Sequence, residues 1–186
     1  ADLPEWRTED ETFVYALSYS PDGSHLVISV GKHVIVLRAA DLEPVLRMHL
    51  KGFGVGHVAF ARDGKSIFMT TGEAAIERHV LTGGKPTATF TVKDRKPGEG
   101  HISALVPSYD GKLLFAYVDG AVVAWQVADG QVVHRFPAPH REQPSLLALA
   151  ASDRSVVTLS SGGEGEVKIW RVADGALVSR AAKPLT

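Results

Sequence analysis

Evenly phased turns constrain this chain more than any other feature. Turn triplets centred on aspartate stand at Pro21-Asp22-Gly23, Arg62-Asp63-Gly64, Tyr109-Asp110-Gly111 and Ser152-Asp153-Arg154, so the aspartates recur at intervals of 41, 47 and 43 residues. A second set keeps the same phase at Ala40-Asp41, Gly83-Gly84, Asp129-Gly130 and Asp174-Gly175. Asp accepts bonds from nearby backbone amides and Gly supplies a positive φ, which is why such pairs mark turns. Internal periods of roughly 40 to 45 residues belong to repeat architectures whose unit is one supersecondary element.

Between the turns the chain alternates. Phe13, Tyr15, Leu17 and Tyr19 share one parity with Ala16 and Ser18 between them, the period of two expected of a strand with unequal faces. The runs at 26–30 and 34–37 are rich in β-branched residues, and the gap at Gly31-Lys32-His33 is short enough for a hairpin. The second unit predicts strands near 57–61, 66–70, 75–80 and 87–91; the third near 102–106, 113–118, 121–127 and 132–136; the fourth near 146–151, 156–160, 167–172 and 176–180. No amphipathic helix competes. The expectation is an all-β chain of four four-stranded antiparallel meanders, at approximately 11–50, 56–91, 101–136 and 145–181, in one domain over 1–186. Each meander has two apolar faces, and radial stacking covers both, so the predicted architecture is a β-propeller, whole or partial.

Composition narrows the function. With 45% hydrophobic and 22% charged residues the chain can bury a core and reads as an ordinary soluble globular protein. Its apolar runs are strand-sized, well short of the roughly 18 residues a membrane helix needs. A formal net charge of −1, with no block of like charge, gives a phosphate backbone nothing to track, so nucleic acid is not expected as a partner. The absence of cysteine removes disulfides, thiolate zinc sites and cysteine nucleophiles, but leaves the cellular compartment open. The opening Ala1-Asp2-Leu3-Pro4 fits a processed leader, a chosen boundary or a piece of something longer equally well.

The stretch from Ser160-Ser161-Gly162-Gly163-Glu164 through Val167-Lys168-Ile169-Trp170 to Asp174-Gly175 resembles the closing half of a WD (tryptophan-aspartate) repeat. Asp119-Gly120 through Trp125 to Asp129-Gly130 is similar, and with the Ser20-Pro21-Asp22-Gly23 turn the resemblance spans the chain as four divergent repeats. In that family each blade is locked by a hydrogen-bonded His, Ser or Thr, Asp and Trp. The resemblance therefore implies His140, Ser160, Glu164 (in place of Asp) and Trp170 as the lock of the fourth unit, and Asp119 with Trp125 in the third. Leu37 and His79 replace Trp in the first two units, and Gln126 and Arg171 replace the Asp that normally follows it. WD propellers usually close with seven or eight blades. Four repeats thus imply part of a larger ring completed by further sequence or another chain, a homodimer making eight, or a self-closed ring of four.

Chemistry has no obvious carrier. Among the eight histidines, His25, His33, His49 and His134 are scattered, whereas His57, His101 and His140 precede successive inner strands and read as remnants of the locking histidine. The turn aspartates have structural work, and Gly162-Gly163-Glu164-Gly165 is a hairpin rather than a phosphate loop because no helix follows it. Trp6 falls outside the repeat and is freer than Trp125 or Trp170 to face a partner. No catalytic order, elbow or cofactor fingerprint emerges, so no enzyme activity, metal or cofactor is expected. The resemblance implies a protein-interaction scaffold presenting rim loops to a protein partner or another domain. The candidate contacts are Lys51, Phe53, Lys93, Arg95, Lys96, His101, His140 and Arg141. The alternative is a redox or hydrolytic propeller holding a metal or small ligand near His57, His101 and His140.

Overall fold

The computed structural model of the chain describes residues 14–50, 56–71, 75–92, 102–137, 144–160 and 165–182. Blade 1 comprises β1 (Val14–Tyr19), β2 (His25–Val30), β3 (His33–Arg38) and β4 (Pro44–His49), and blade 2 comprises β5 (Val58–Phe60), β6 (Ser66–Thr70), β7 (Ile76–Val80) and β8 (Ala88–Phe90). Blade 3 follows with β9 (Ile102–Pro107), β10 (Leu113–Val118), β11 (Ala121–Gln126) and β12 (Val132–Pro137); blade 4 with β13 (Pro144–Leu149), β14 (Ser155–Ser160), β15 (Glu166–Arg171) and β16 (Leu177–Ala182). Each blade is one four-stranded sheet whose strands pair in chain order, all antiparallel where their registers are defined. The all-β expectation holds. The run expected at 146–151 instead begins at Pro144 and stops at Leu149, because the Ala150 amide already bonds the Ser155 carbonyl to close the next turn.

The aspartate turns are built as their chemistry requires. In blade 1 the Asp22 carboxylate accepts from the Ser24 amide at 3.0 Å and the Ser20 hydroxyl at 2.6 Å, while the His25 amide donates to that same hydroxyl. Blade 3 repeats the device with Asp110, Lys112, Ser108 and Leu113. The closing glycines, Gly23, Gly64 and Gly111, all have positive φ between 65° and 74°. The fourth turn departs from the expected register. The amide that closes it onto the Ala150 carbonyl is that of Asp153, as Gly23 does to Ser20, so Asp153 occupies the glycine position with φ 56°. Its carboxylate is thereby released from its own turn.

Packing follows the inner strands. β5 lies against β1, β9 against β5 and β13 against β9; no contact of similar extent joins β13 to β1 among the described residues. Three apolar junctions result. Val27, Val34 and Val36 of blade 1 meet Val58, Phe60, Ile67 and Met69 of blade 2. Phe68, Ile76 and Phe90 meet Leu114, Ala116, Val123 and Trp125 of blade 3. Phe115, Tyr117, Val122 and Phe136 in turn meet Leu149, Val156, Trp170 and Val172 of blade 4. Every blade thus offers a leading face to its predecessor and a trailing face to its successor, an arrangement that alternation along each strand makes unavoidable.

Candidate functional site

The junction locks show how divergent repeats reach one geometry. In blade 4, Val156 lies opposite Trp170, and the indole reaches two residues along β14 to donate to the Thr158 hydroxyl at 2.8 Å, both groups being buried. The acceptor is therefore Thr158 rather than Ser160, which lies two residues too far along the strand and instead accepts the Glu166 amide. In blade 3, Leu114 lies opposite Trp125, so the place of Thr158 falls to Ala116, which offers no acceptor. The Trp125 indole donates instead to the Thr91 carbonyl of blade 2 at 2.8 Å, linking two blades directly. Blade 2 places His79 in the equivalent position, opposite Ile67, where it pairs with Glu77 at 2.8 Å. Blade 1 fills it with Leu37 opposite Leu26, an apolar contact with no lock.

The aspartate turns form a second line of contact along one rim. The Arg62 side chain of blade 2 donates to the Ser108 carbonyl at 3.2 Å, and its guanidinium lies 3.9 Å from the centre of the Tyr109 ring. From the other side Asp153 of blade 4 accepts the Tyr109 and Asp110 amides at 2.7 and 2.8 Å. Blades 2, 3 and 4 are thus stitched by polar contacts. Between blades 2 and 3 lies an open recess of about 550 Å³ lined by Arg78, Asp110, Lys112, Leu113 and Gln126. Its charges are already matched, Arg78 to Asp63 at 2.6 Å and Lys112 to Asp110 at 3.6 Å. Partial burial tends to raise the Asp63 carboxyl, but the Lys65 amide, the Ser66 hydroxyl and Arg78 outweigh it and hold the group below its usual range. The Lys112 amide and Ser108 hydroxyl lower Asp110 likewise. These carboxylates are ionised structural anchors near neutral pH and are not poised for proton transfer.

The two ends of the array differ from its interior. Tyr19 lies opposite Leu26 and Leu17 opposite Ile28, as Phe60 lies opposite Ile67 and Val58 opposite Met69, so the pairs occupy the same leading-face positions. Val58 and Phe60 are 6% and 4% exposed under blade 1, whereas Leu17 and Tyr19 are each 60% exposed. Further out on that face Leu26 and Ile28 are half-buried and Ile35 and Leu37 buried, so it is open mainly along its inner strand. At the other end Leu146 lies opposite Leu159 as Ala104 lies opposite Tyr117; Ala104 is 4% exposed under blade 4, and Leu146 is 59% exposed. Val157, Leu159, Val167 and Ile169 continue that trailing face, half-buried. Both ends of the array thus hold large apolar side chains in water along their inner strands.

None of the rim contacts expected from sequence lies among the described residues. Lys51, Phe53, Lys93, Arg95, Lys96, His101, His140, Arg141 and Glu164 lie outside the described residues, as does Trp6. His57 precedes β5 and its amide donates to the Thr70 hydroxyl at 2.9 Å. Asp119, with φ 46°, occupies the β10–β11 turn. The alternation of Leu17 and Tyr19 was the available signal for the end face, but alternation cannot tell a covered face from an open one. A bulge after Val14 also shifts the expected parity: Val14 lies opposite Val30, and Tyr15 becomes the extra residue.

No family model matches the chain, and no curated protein matches it. Among solved structures, a chain of one described as the crystal structure of mitotic checkpoint complex is similar over 94% of this chain and 54% of its own, with TM-score 0.76 and 18% identity. In all, 1467 solved chains resemble it, so the likeness defines an architecture rather than a partner. With the four radially packed meanders, it makes the fold a β-propeller. The chain spans about half the length of that solved relative.

Proposed function

We propose that this chain is a non-enzymatic protein-interaction scaffold of the divergent WD-repeat kind, whose blades engage protein partners through their uncovered faces and rim loops. The observation that carries this is the contrast between Leu17 and Tyr19, each 60% exposed, and their repeat equivalents Val58 and Phe60, which a neighbouring blade covers. An apolar strip of this kind is stable in water chiefly by acquiring a cover. The printed description of the solved relative names a protein complex, which is in keeping with such a role. The test is a photo-crosslinking residue placed at position 17 or 146 in the cells that make the protein, with the exposed outer-strand position 135 as control. Crosslinks to protein from 17 and 146, in excess of those from 135, are the expected result. Labelling no stronger than the control defeats the proposal.

A further inference from the structure

We infer that the recess between blades 2 and 3 is a docking site for an acidic protein segment, a carboxylate side chain seating on Arg62 and Arg78 with an apolar neighbour against Phe68 and Val127. This rests on the scaffold role proposed above and names the chemistry of a partner at one rim. Blades 2 and 3 each have a packed neighbour on both sides. The walls of the recess come from 61–63, 107–113 and 126–128, at the rim opposite the strand ends that run into segments outside the described residues. An inner compartment of about 310 Å³, bordered by Arg62, Arg78 and Phe68, opens into the wider one of about 550 Å³, the two sharing Arg78, Asp110 and Val127.

Both guanidiniums are held from behind. Arg78 stands opposite Phe68, where the flanking blades have Val36 opposite Val27 and Ala124 opposite Phe115, both fully buried. Its Nε donates to the Ser66 hydroxyl at 2.9 Å and its Nη2 to Asp63 at 2.6 Å, which leaves Nη1 without a hydrogen-bond partner among the described residues. Arg62 uses only Nε, on the Ser108 carbonyl, while the Tyr109 ring lies under its guanidinium and Gly111 under its stem; a Cβ on Gly111 would stand 3.2 Å from the Arg62 Cβ. A guanidinium anchored through Nε presents its Nη edge already ordered, so little conformational entropy is lost when a planar acceptor binds. Charge selects the acceptor. Asp63 is matched by Arg78 and Asp110 by Lys112, whereas Arg62 meets no carboxylate among the described residues. The surplus is a single positive charge, which a carboxylate balances and a dianionic phosphate beside two aspartates exceeds. Phe68 and the half-buried Val127 give the residue next to that carboxylate an apolar wall.

The experiment follows the Nε–H signals of Arg62 and Arg78 by NMR on the whole chain, which is titrated with acetyl-Leu-Glu-Leu-amide, acetyl-Leu-Gln-Leu-amide, sodium acetate and inorganic phosphate. Both signals should shift and saturate with the Glu peptide, with a Kd of about 1 mM or tighter. The Gln peptide should bind about tenfold more weakly, because it lacks the charge-assisted pair. Arg62→Gln should weaken the Glu peptide about tenfold and leave the Gln peptide unchanged. Because Arg62 also packs on Tyr109, Ala128→Glu supplies a second variant at an exposed position on the recess wall. Its added carboxylate should weaken the Glu peptide by a similar factor while the melting temperature stays that of the parent. Equal binding of the two peptides overturns the carboxylate, and acetate as tight as the Glu peptide overturns the protein segment in favour of a free small acid. Tighter phosphate overturns the charge argument. Shifts that do not saturate with any probe, or binding that neither variant weakens, overturn the site. The scaffold role is read separately at positions 17 and 146: crosslinks there without peptide binding retire the recess alone, and peptide binding without crosslinks retires the uncovered faces alone.

Discussion

Phe60 and Tyr19 occupy the same position of successive blades, one covered and one open, so truncating each to alanine measures the neighbouring blade directly. A buried aromatic side chain removes about 150–250 Å² from water, which at about 25 cal/mol per Å² corresponds to about 4–6 kcal/mol. Cavity-forming Phe→Ala changes span about 3–5 kcal/mol. Phe60, 4% exposed, should therefore lose about 4 kcal/mol on truncation. Tyr19, 60% exposed, keeps two-fifths of its surface from water, which puts its loss at about 2 kcal/mol at most. Urea denaturation at about 1 µM, followed by the fluorescence of the buried Trp125 and Trp170, gives both values. Equal losses would refute the reasoning, since they would mean that blade 1 is covered as fully as blade 2.

Thr158→Val should cost about 1–3 kcal/mol, because it leaves the Trp170 indole N–H buried without an acceptor; Thr91→Val should spare Trp125, whose acceptor is backbone. Urea midpoints read both. Gly175→Ala should cost about 1–3 kcal/mol more than Gly23→Ala: both have φ near +70°, but a Cβ at 175 would stand 2.3 Å from the Phe136 Cβ while one at 23 meets nothing within 4 Å. Similar midpoints for the two variants would refute the clash. Asp153→Gly should lose about 1 kcal/mol despite glycine's ease at φ 56°, because the two cross-blade amide bonds go with the carboxylate. A gain in stability would show those bonds to be idle. Asp63 and Asp110 have folded pKa values below their unfolded ones, so their stabilisation is complete above about pH 4 and fades as pH falls through the lowered folded values. Melting temperature should fall with pH in that acid range, less steeply in Asp63→Asn, and a slope unchanged by the substitution would argue against the assignment.

The fold was legible because turn phase and alternation are local properties: an Asp-Gly pair makes its turn whatever surrounds it. The finer assignments depend on distances across a sheet. Thr158 and Ser160 both project from β14 toward the same junction, and only the opposition of Val156 to Trp170 decides which one the indole meets. The fourth turn lies one residue out of the register its sequence suggests for a similar reason. Asp153 looks like its counterparts Asp22, Asp63 and Asp110 in sequence, yet it takes the glycine slot, which aspartate tolerates better than most side chains. The openness of the end faces was not legible at all. Leu17 and Val58 have the same pattern around them, and the difference lies in whether another blade stands alongside.

The displaced Asp153 has a mechanical consequence. Its carboxylate and the Arg62 side chain hold the turn around Tyr109 from both sides, so three consecutive blades share a polar hem. Blade 1 shares none of these hydrogen bonds, and its Pro21 stands off the hem at such a distance that a Cβ added to Gly64 would lie 4.0 Å from the Pro21 Cδ. In an array stabilised junction by junction, the least tethered end frays first. Amide exchange should therefore run from blade 1 inward, making the blade that carries the open tyrosine and leucine strip also the one that loosens ahead of the rest.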